Sequence, residues 1–141
     1  ISWSPDSRYI ITASVDNTTS ILDAIKGSYL YNFRDAKHYV LGVSWDPLNE
    51  FLVSMSSDST CRIYSSNSKK IISSLRKVEI LTCENLVPRK LYRDENLCSF
   101  FRRCSFSPDG KMLVTPSGIS LQNESESTTF VFLRSCLFRP H

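Results

Sequence analysis

Of the side chains that could exchange a proton near neutral pH, this chain of 141 residues has two, His38 and His141, and the second is its last residue. Neither belongs to a G-x-S-x-G elbow, an H-E-x-x-H helix or a glycine-rich phosphate loop, and none of these motifs occurs elsewhere. Nucleophile, base and oxyanion donors therefore do not assemble into a catalytic constellation. The sequence reads as that of a non-enzyme, with no metal site and no cofactor. Five cysteines, Cys61, Cys83, Cys98, Cys104 and Cys136, are odd in number and contain no C-x-x-C pair. A disulfide framework or zinc ribbon is not expected from them. Several of them occupy positions where strands want apolar residues, which suits reduced core or edge thiols of an intracellular protein.

Basic pairs occur at Lys69-Lys70, Arg76-Lys77, Arg89-Lys90 and Arg102-Arg103. Scattered in this way they read as solvated faces, since a phosphate-tracking surface needs them on one stripe with stacking aromatics. Phe100-Phe101-Arg102-Arg103 is the exception, because aromatic and Arg side chains carry most interface hot spots. Phe101 aligns with Val40 and is expected to face inward, leaving Phe100, Arg102 and Arg103 as candidates for partner binding. In the alternative reading Phe100 fills a loop core and the arginines cap strand ends. His38 and Tyr39, just before a strand, join the partner-binding candidates. Asn17-Thr18-Thr19 and Asn123-Glu124-Ser125 match the glycosylation sequon by chance in an intracellular chain.

The elements that must position these residues are strands. Sixteen aromatics and many Ser, Thr, Val and Ile accompany only four glycines and six prolines, which favours pleated half-buried strands. Seventeen basic and 14 acidic residues leave a net charge of +3, too weak to imply nucleic-acid binding. No apolar run reaches the ~18 residues of a membrane span, and no signal peptide opens the chain. It starts at Ile1, inside a strand pattern, as expected of a piece of a longer protein.

Three segments repeat. Ile1-Ser2-Trp3-Ser4-Pro5-Asp6 recurs as Val43-Ser44-Trp45-Asp46-Pro47-Leu48 and as Cys104-Ser105-Phe106-Ser107-Pro108-Asp109. Second strands then align, Tyr9 to Ser14 over Phe51 to Ser56 and over Met112 to Ser117. Asp16 and Asp58 follow Trp3 and Trp45 by thirteen residues each, and Ile21-Leu22-Asp23 and Ile63-Tyr64-Ser65 form third strands. Trp3 and Trp45 lie 42 residues apart, the period of a WD-repeat propeller blade with room for a fourth strand. Trp3, Trp45 and Phe106 are expected to pack between blades, and Asp16 and Asp58 to take tight turns, bonding nearby backbone or a His-Ser network.

The fold expected is thus all-β, a partial WD-repeat propeller of about three four-stranded antiparallel blades, spanning 1–34 with the start of its first strand truncated, 35–100 with a long loop insertion, and 101–141, which is incomplete and has a short insertion. Trp45 and Phe106 are 61 residues apart, so about nineteen extra residues must lie in an elaborated fourth strand and loop of the second blade. A shorter insertion near Ile119 to Ser127 precedes a strand at Thr129 to Phe132. Three blades cannot close a ring, so the piece alone should expose apolar faces and be poorly soluble.

Particular residues go beyond a generic repeat. Ala13 to Thr18, Tyr39 to Leu48, and Ser99-Phe100-Phe101-Arg102-Arg103 running into Ser105 to Gly110 resemble the WD-repeat subunit family of chromatin assembly factor 1. Thr128 to Phe132, Arg134 and Leu137-Phe138-Arg139-Pro140 are similar to that family's next segment. The resemblance implies the middle subunit of a three-subunit histone chaperone in the nucleus, depositing newly made histones three and four during DNA replication and repair. It further implies contacts with the complex's large subunit and with the anti-silencing histone chaperone, without catalysis, sequence-specific nucleic-acid binding or membrane association. Ala36 stands where the family usually shows His, and Leu22 where a blade usually shows Trp. The family's C-terminal tail is not in this chain. Rival readings are a replication-independent histone-regulator chaperone, a ubiquitin-ligase substrate receptor and a propeller hydrolase; the last requires clustered acids or metal ligands.

Overall fold

A computed structural model describes residues 1–81, 86–96 and 100–137. Cys83, Cys98, Ser99, the stretch Phe138 to Pro140 and His141 lie outside the described residues. Every described element but one short 3-10 turn is a strand. No helix among the described residues is long and apolar enough to cross a membrane.

The first sheet runs in chain order through β1 (Ser2–Trp3), β2 (Tyr9–Ala13), β3 (Thr19–Asp23) and β4 (Ser28–Phe33). The second repeats it with β5 (Val40–Trp45), β6 (Phe51–Ser56), β7 (Thr60–Ser65) and β8 (Ile71–Leu75). Strands β9 (Lys77–Leu81) and β10 (Leu86–Lys90) form a separate antiparallel hairpin. The third sheet contains β11 (Ser105–Phe106), β12 (Met112–Ile119) and β13 (Ser127–Leu133), followed by the 3-10 turn Arg134–Cys136.

One register recurs in all three sheets. Trp3 lies opposite Ile10, Trp45 opposite Leu52 and Phe106 opposite Leu113. The turns that follow are also alike. Ser7, Asn49 and Gly110 donate their amides to the carbonyls of Ser4, Asp46 and Ser107, all at 2.9 Å, and all three adopt positive φ. In the first and third turns a serine hydroxyl, Ser4 or Ser107, donates to Asp6 or Asp109 and accepts from the amide of Tyr9 or Met112. The second turn has Asp46 in the serine's place, and its carboxylate accepts from the amides of Leu48, Glu50 and Phe51.

Strand alternation sends side chains to two apolar layers. In β6, Leu52 joins Ile11, Ile21, Phe33, Trp45 and Tyr64 between the first and second sheets. Val53 and Met55 point the other way, into a layer with Ile63, Tyr92, Leu113 and Phe132 between the second and third. Trp45 stacks on Tyr9 of the neighbouring sheet with ring centroids 6.2 Å apart, while Ser2 Oγ accepts from its amide. Arg134 bridges the other interface, donating to both carboxylate oxygens of Asp46 at 3.0 and 2.7 Å and to Glu50 at 2.6 Å, with its guanidinium over the Phe51 ring.

Among the described residues the third sheet has three strands. Two expectations need correction. The long insertion does not elaborate the fourth strand of the second sheet: β8 is an ordinary five-residue strand, and the extra residues build the β9–β10 hairpin. The shorter insertion lengthens β12 and β13 past a bulge between Thr115 and Gly118, so the last strand runs from Ser127 rather than Thr129.

Candidate partner-binding end of the sheets

Each sheet is a meander, so its turns alternate between two ends. The first-to-second and third-to-fourth strand turns lie at one end. The second-to-third turns, the connections between sheets, the hairpin and the β12–β13 loop lie at the other. Every partner-binding candidate read from the sequence belongs to this second end.

The two insertions meet there. Ile119 donates its amide to Leu91 at 2.8 Å, Arg93 donates its amide to Ser117 at 3.0 Å, and Tyr92 bridges to Gly118. Arg89 lies 3.4 Å from the Glu124 carboxylate, and the Arg93 guanidinium donates to the carbonyls of Glu124 and Glu126. Two insertions separated in sequence thus form one ridge. The signal for it was the pairing of Arg89 and Arg93 with the polar run around Glu124 and Glu126.

Segment 100–104 crosses the inner strand β5 at Gly42, where backbones nearly touch. A Cβ on Gly42 would lie 1.9 Å from the carbonyl oxygen of Arg102, so only glycine permits this crossing. The crossing decides which side chains face out. Phe100 and Phe101 are 53% and 65% exposed and meet edge to face at 5.7 Å, with the Arg103 guanidinium 4.9 Å above the Phe101 ring. Together they border a cleft of about 670 Å³ that also touches Val15, Leu41 and Val43. Phe101 therefore faces outward, contrary to its alignment with Val40, because the segment runs over β5 as irregular chain instead of continuing a strand. Arg102 is corrected in the opposite sense. It is 1% exposed, and its guanidinium donates to the carbonyls of Arg93 and Asp94, so it fastens the ridge to the sheet instead of meeting a partner.

His38 and Tyr39 are exposed on the β4–β5 connection, and their carbonyls accept from Ser56 Oγ at 3.0 Å and from the Ser57 amide at 2.9 Å. Asp58 is buried. It accepts the Lys37 amide at 2.9 Å and two hydrogen bonds from Arg62 at 3.2 and 2.6 Å, so Arg62 does the work expected of a His-Ser network. Burial pushes its carboxyl pKa up, but the Arg62 and Lys37 hydrogen bonds outweigh burial and hold it below the ordinary aspartate value. Asp16 is exposed and caps its own turn, accepting from the amide and hydroxyl of Thr18 at 3.0 and 2.6 Å. Trp3 is 53% exposed, Trp45 is buried and Phe106 half-buried.

Cys61 and Cys104 are buried and Cys136 half-buried, and burial pushes the Cys104 thiol up to about 12, far from a reactive thiolate. Among the described residues no group of three or more His, Cys, Asp or Glu could hold a metal ion. The exposed groups at this end include the aromatic rings and guanidinium of Phe100, Phe101 and Arg103.

The model of the CAF1B/HIR1 beta-propeller domain matches residues 1–141. The chain belongs to the CAF1B/HIR1 β-propeller family. It is 37% identical to a chromatin assembly factor 1 subunit FAS2 homolog of Oryza sativa subsp. japonica, over 99% of this chain and 31% of the relative. It is 38% identical to a chromatin assembly factor 1 subunit of Mus musculus, over 99% of this chain and 25% of the relative. Protein HIR1 of Candida albicans is 30% identical over 83% of this chain, which covers 12% of that relative. The chain thus spans between a quarter and a third of the length of the chromatin assembly factor relatives it matches. Within the CAF1B/HIR1 fold these residues form a partial propeller of consecutive blades.

Proposed function

We propose that this chain is part of a non-catalytic WD-repeat subunit of a nuclear histone chaperone, and that it presents the loop-rich end of its blades to protein partners. The observation that carries this reading is the match of residues 1–141 to the CAF1B/HIR1 domain, with the higher identities falling on proteins named for chromatin assembly. The shorter match to HIR1 favours replication- and repair-coupled deposition of histones three and four over replication-independent assembly. The partners are the large subunit of chromatin assembly factor 1, the anti-silencing histone chaperone and the core histones. The surface that receives one of them is the exposed cluster of Phe100, Phe101 and Arg103, flanked by His38 and Tyr39, since rigid aromatics beside a guanidinium are the residue types of binding hot spots.

The test is capture of tagged full-length protein from S-phase nuclei. Histones three and four and the large assembly subunit should co-purify. The double variant Phe100→Ala, Arg103→Glu should lose at least one of these partners while retaining its melting temperature. Recovery of a ubiquitin-ligase adaptor without histones would overturn the assignment, and undiminished capture by the double variant would remove the cluster from it.

A further inference from the structure

The base of the β9–β10 hairpin concentrates positive charge in a way that folding alone disfavours. The ladder places Lys77 directly opposite Lys90, and Leu91 donates its amide to the Arg76 carbonyl one step further along. Antiparallel pairs alternate between hydrogen-bonded and non-hydrogen-bonded, so Lys77 and Lys90 fall on a non-hydrogen-bonded pair, where Cα atoms are only about 4.5 Å apart. Like charges directly opposite one another destabilise a two-stranded ladder. Arg76 precedes Lys77, and Arg76 and Lys90 line a cleft of about 270 Å³ together with Lys37, His38, Asp94 and Glu95. Arg76 and Lys90, one from each of two basic pairs separated in sequence, are therefore gathered at one cleft, with Lys77 across the ladder from Lys90.

Other cations nearby are already engaged. Arg62 is held by Asp58, Arg89 by Glu124 and Arg102 by backbone carbonyls. Among the described residues Lys37, Arg76, Lys77 and Lys90 form no ion pair, although Asp94 and Glu95 share the cleft. A local rule broken without internal compensation marks a place where function sets the sequence. We propose that this cleft docks an acidic peptide segment of a protein partner, its carboxylates meeting Arg76, Lys90 and Lys37 in the cleft and Lys77 beside it, across the ladder from Lys90. A nucleic-acid backbone fits less well. Its evenly repeated charge needs an unbroken basic stripe with aromatics for stacking, whereas Asp94 and Glu95 interrupt this one and no Phe, Tyr or Trp lines it. A peptide can place a neutral residue beside those two acids. The inference deepens the platform reading but concerns a different surface from Phe100, Phe101 and Arg103.

The experiment uses full-length protein and a fluorescein-labelled Glu-rich peptide, its Gln counterpart and a short DNA duplex, with anisotropy as readout. The Glu peptide should bind in a salt-sensitive manner and the Gln peptide should not. Lys77→Glu combined with Lys90→Glu should weaken binding by roughly tenfold or more, and Lys70→Glu, on a turn at the opposite end of the sheets, should leave it unchanged. Lys77→Glu alone should bind the peptide less well yet melt at a higher temperature, because it turns a repulsive cross-strand pair into an attractive one. Equal binding of the Gln peptide, no binding of the Glu peptide, or a double variant that weakens DNA binding alone would overturn the proposal. Histone capture, measured in parallel, reports on the platform reading separately.

Discussion

The first and second sheets share a backbone plan and differ in what surrounds them. Trp3 and Trp45 hold equivalent registers, opposite Ile10 and Leu52, yet Trp3 is 53% exposed and Trp45 6%. In the second sheet β6 and β7 are buried along nearly their whole length, because apolar layers cover both faces. In the first, β2, the counterpart of β6, buries one residue of five fully, while β3, which lies between its neighbours in the sheet, buries four of five. The strand and Pro-turn pattern therefore specifies the backbone of a blade, while neighbours supply the burial that stabilises it. This is the behaviour of a repeat protein whose units are held mainly by their interfaces.

The sharpest test of that contrast is truncation at the two equivalent positions. Trp45→Ala removes the stack on Tyr9 and the indole hydrogen bond to Asn49, and should cost about 3 to 5 kcal/mol. Trp3→Ala in the same chain should cost about 1 kcal/mol or less. Denaturant unfolding of the two variants measures both, and similar losses would break the comparison.

Ion pairs repeat the contrast at smaller scale. Arg134 links the third sheet to Asp46, whose carboxylate is wholly buried, whereas Arg8 lies 3.8 Å from Asp23 and is half exposed. Arg134→Ala should cost about 2 kcal/mol by leaving Asp46 with backbone donors only, and Arg8→Ala well under about 1 kcal/mol. Burial pushes the Asp46 carboxyl up, but the bonds from Arg134 and the Leu48 and Glu50 amides outweigh it and lower its pKa. Its folded pKa thus lies below the unfolded value of ~3.9. The stability it contributes is fully present above that pH and is lost as pH falls through the folded pKa. Acid titration of unfolding should therefore be less steep below about pH 4 in Asp46→Asn than in the unaltered protein. Titration curves of equal slope in the two would show that Asp46 carries no acid sensitivity.

How much of this was legible in the sequence follows from what each feature depends on. The repeated strand, Pro turn and strand are local, so Ser4-Pro5-Asp6 and Ser107-Pro108-Asp109 announce the same turn wherever they occur. The β9–β10 hairpin was not legible, since Lys77 to Lys90 lacks the Asn-Gly or Asp-Gly turn and the clear alternation by which hairpins are read. The orientations of Phe101 and Arg102 were misread because they depend on a long-range approach to Gly42, and nothing in residues 100–103 encodes that approach. The clustering of Arg76, Lys77 and Lys90 with Lys37 likewise needed the register of a hairpin and the position of a loop some forty residues earlier.

The smallest effects should come from the three equivalent turn residues with positive φ, Ser7 at 58°, Asn49 at 60° and Gly110 at 71°. A non-glycine residue in this region carries about 1 to 2 kcal/mol of strain. Glycine relieves it but adds ~0.4 to 1 kcal/mol of unfolded-state entropy, so Ser7→Gly should stabilise by only about 0.5 kcal/mol. Asn49→Gly relieves less strain, because Asn tolerates the left-handed region better than Ser, and it also removes the acceptor that Trp45 Nε1 reaches at 2.8 Å. That loss, about 1 kcal/mol, should turn the gain into a small net destabilisation. Gly110→Ala should be the worst of the three, since its Cβ would come 2.9 Å from Leu48 Cγ in addition to the strained φ. Melting temperatures should therefore rise slightly for Ser7→Gly, fall slightly for Asn49→Gly and fall further for Gly110→Ala. Equal gains at Ser7 and Asn49 would mean that the indole bond adds nothing, and that Trp45 owes its place to the Tyr9 stack and apolar burial alone.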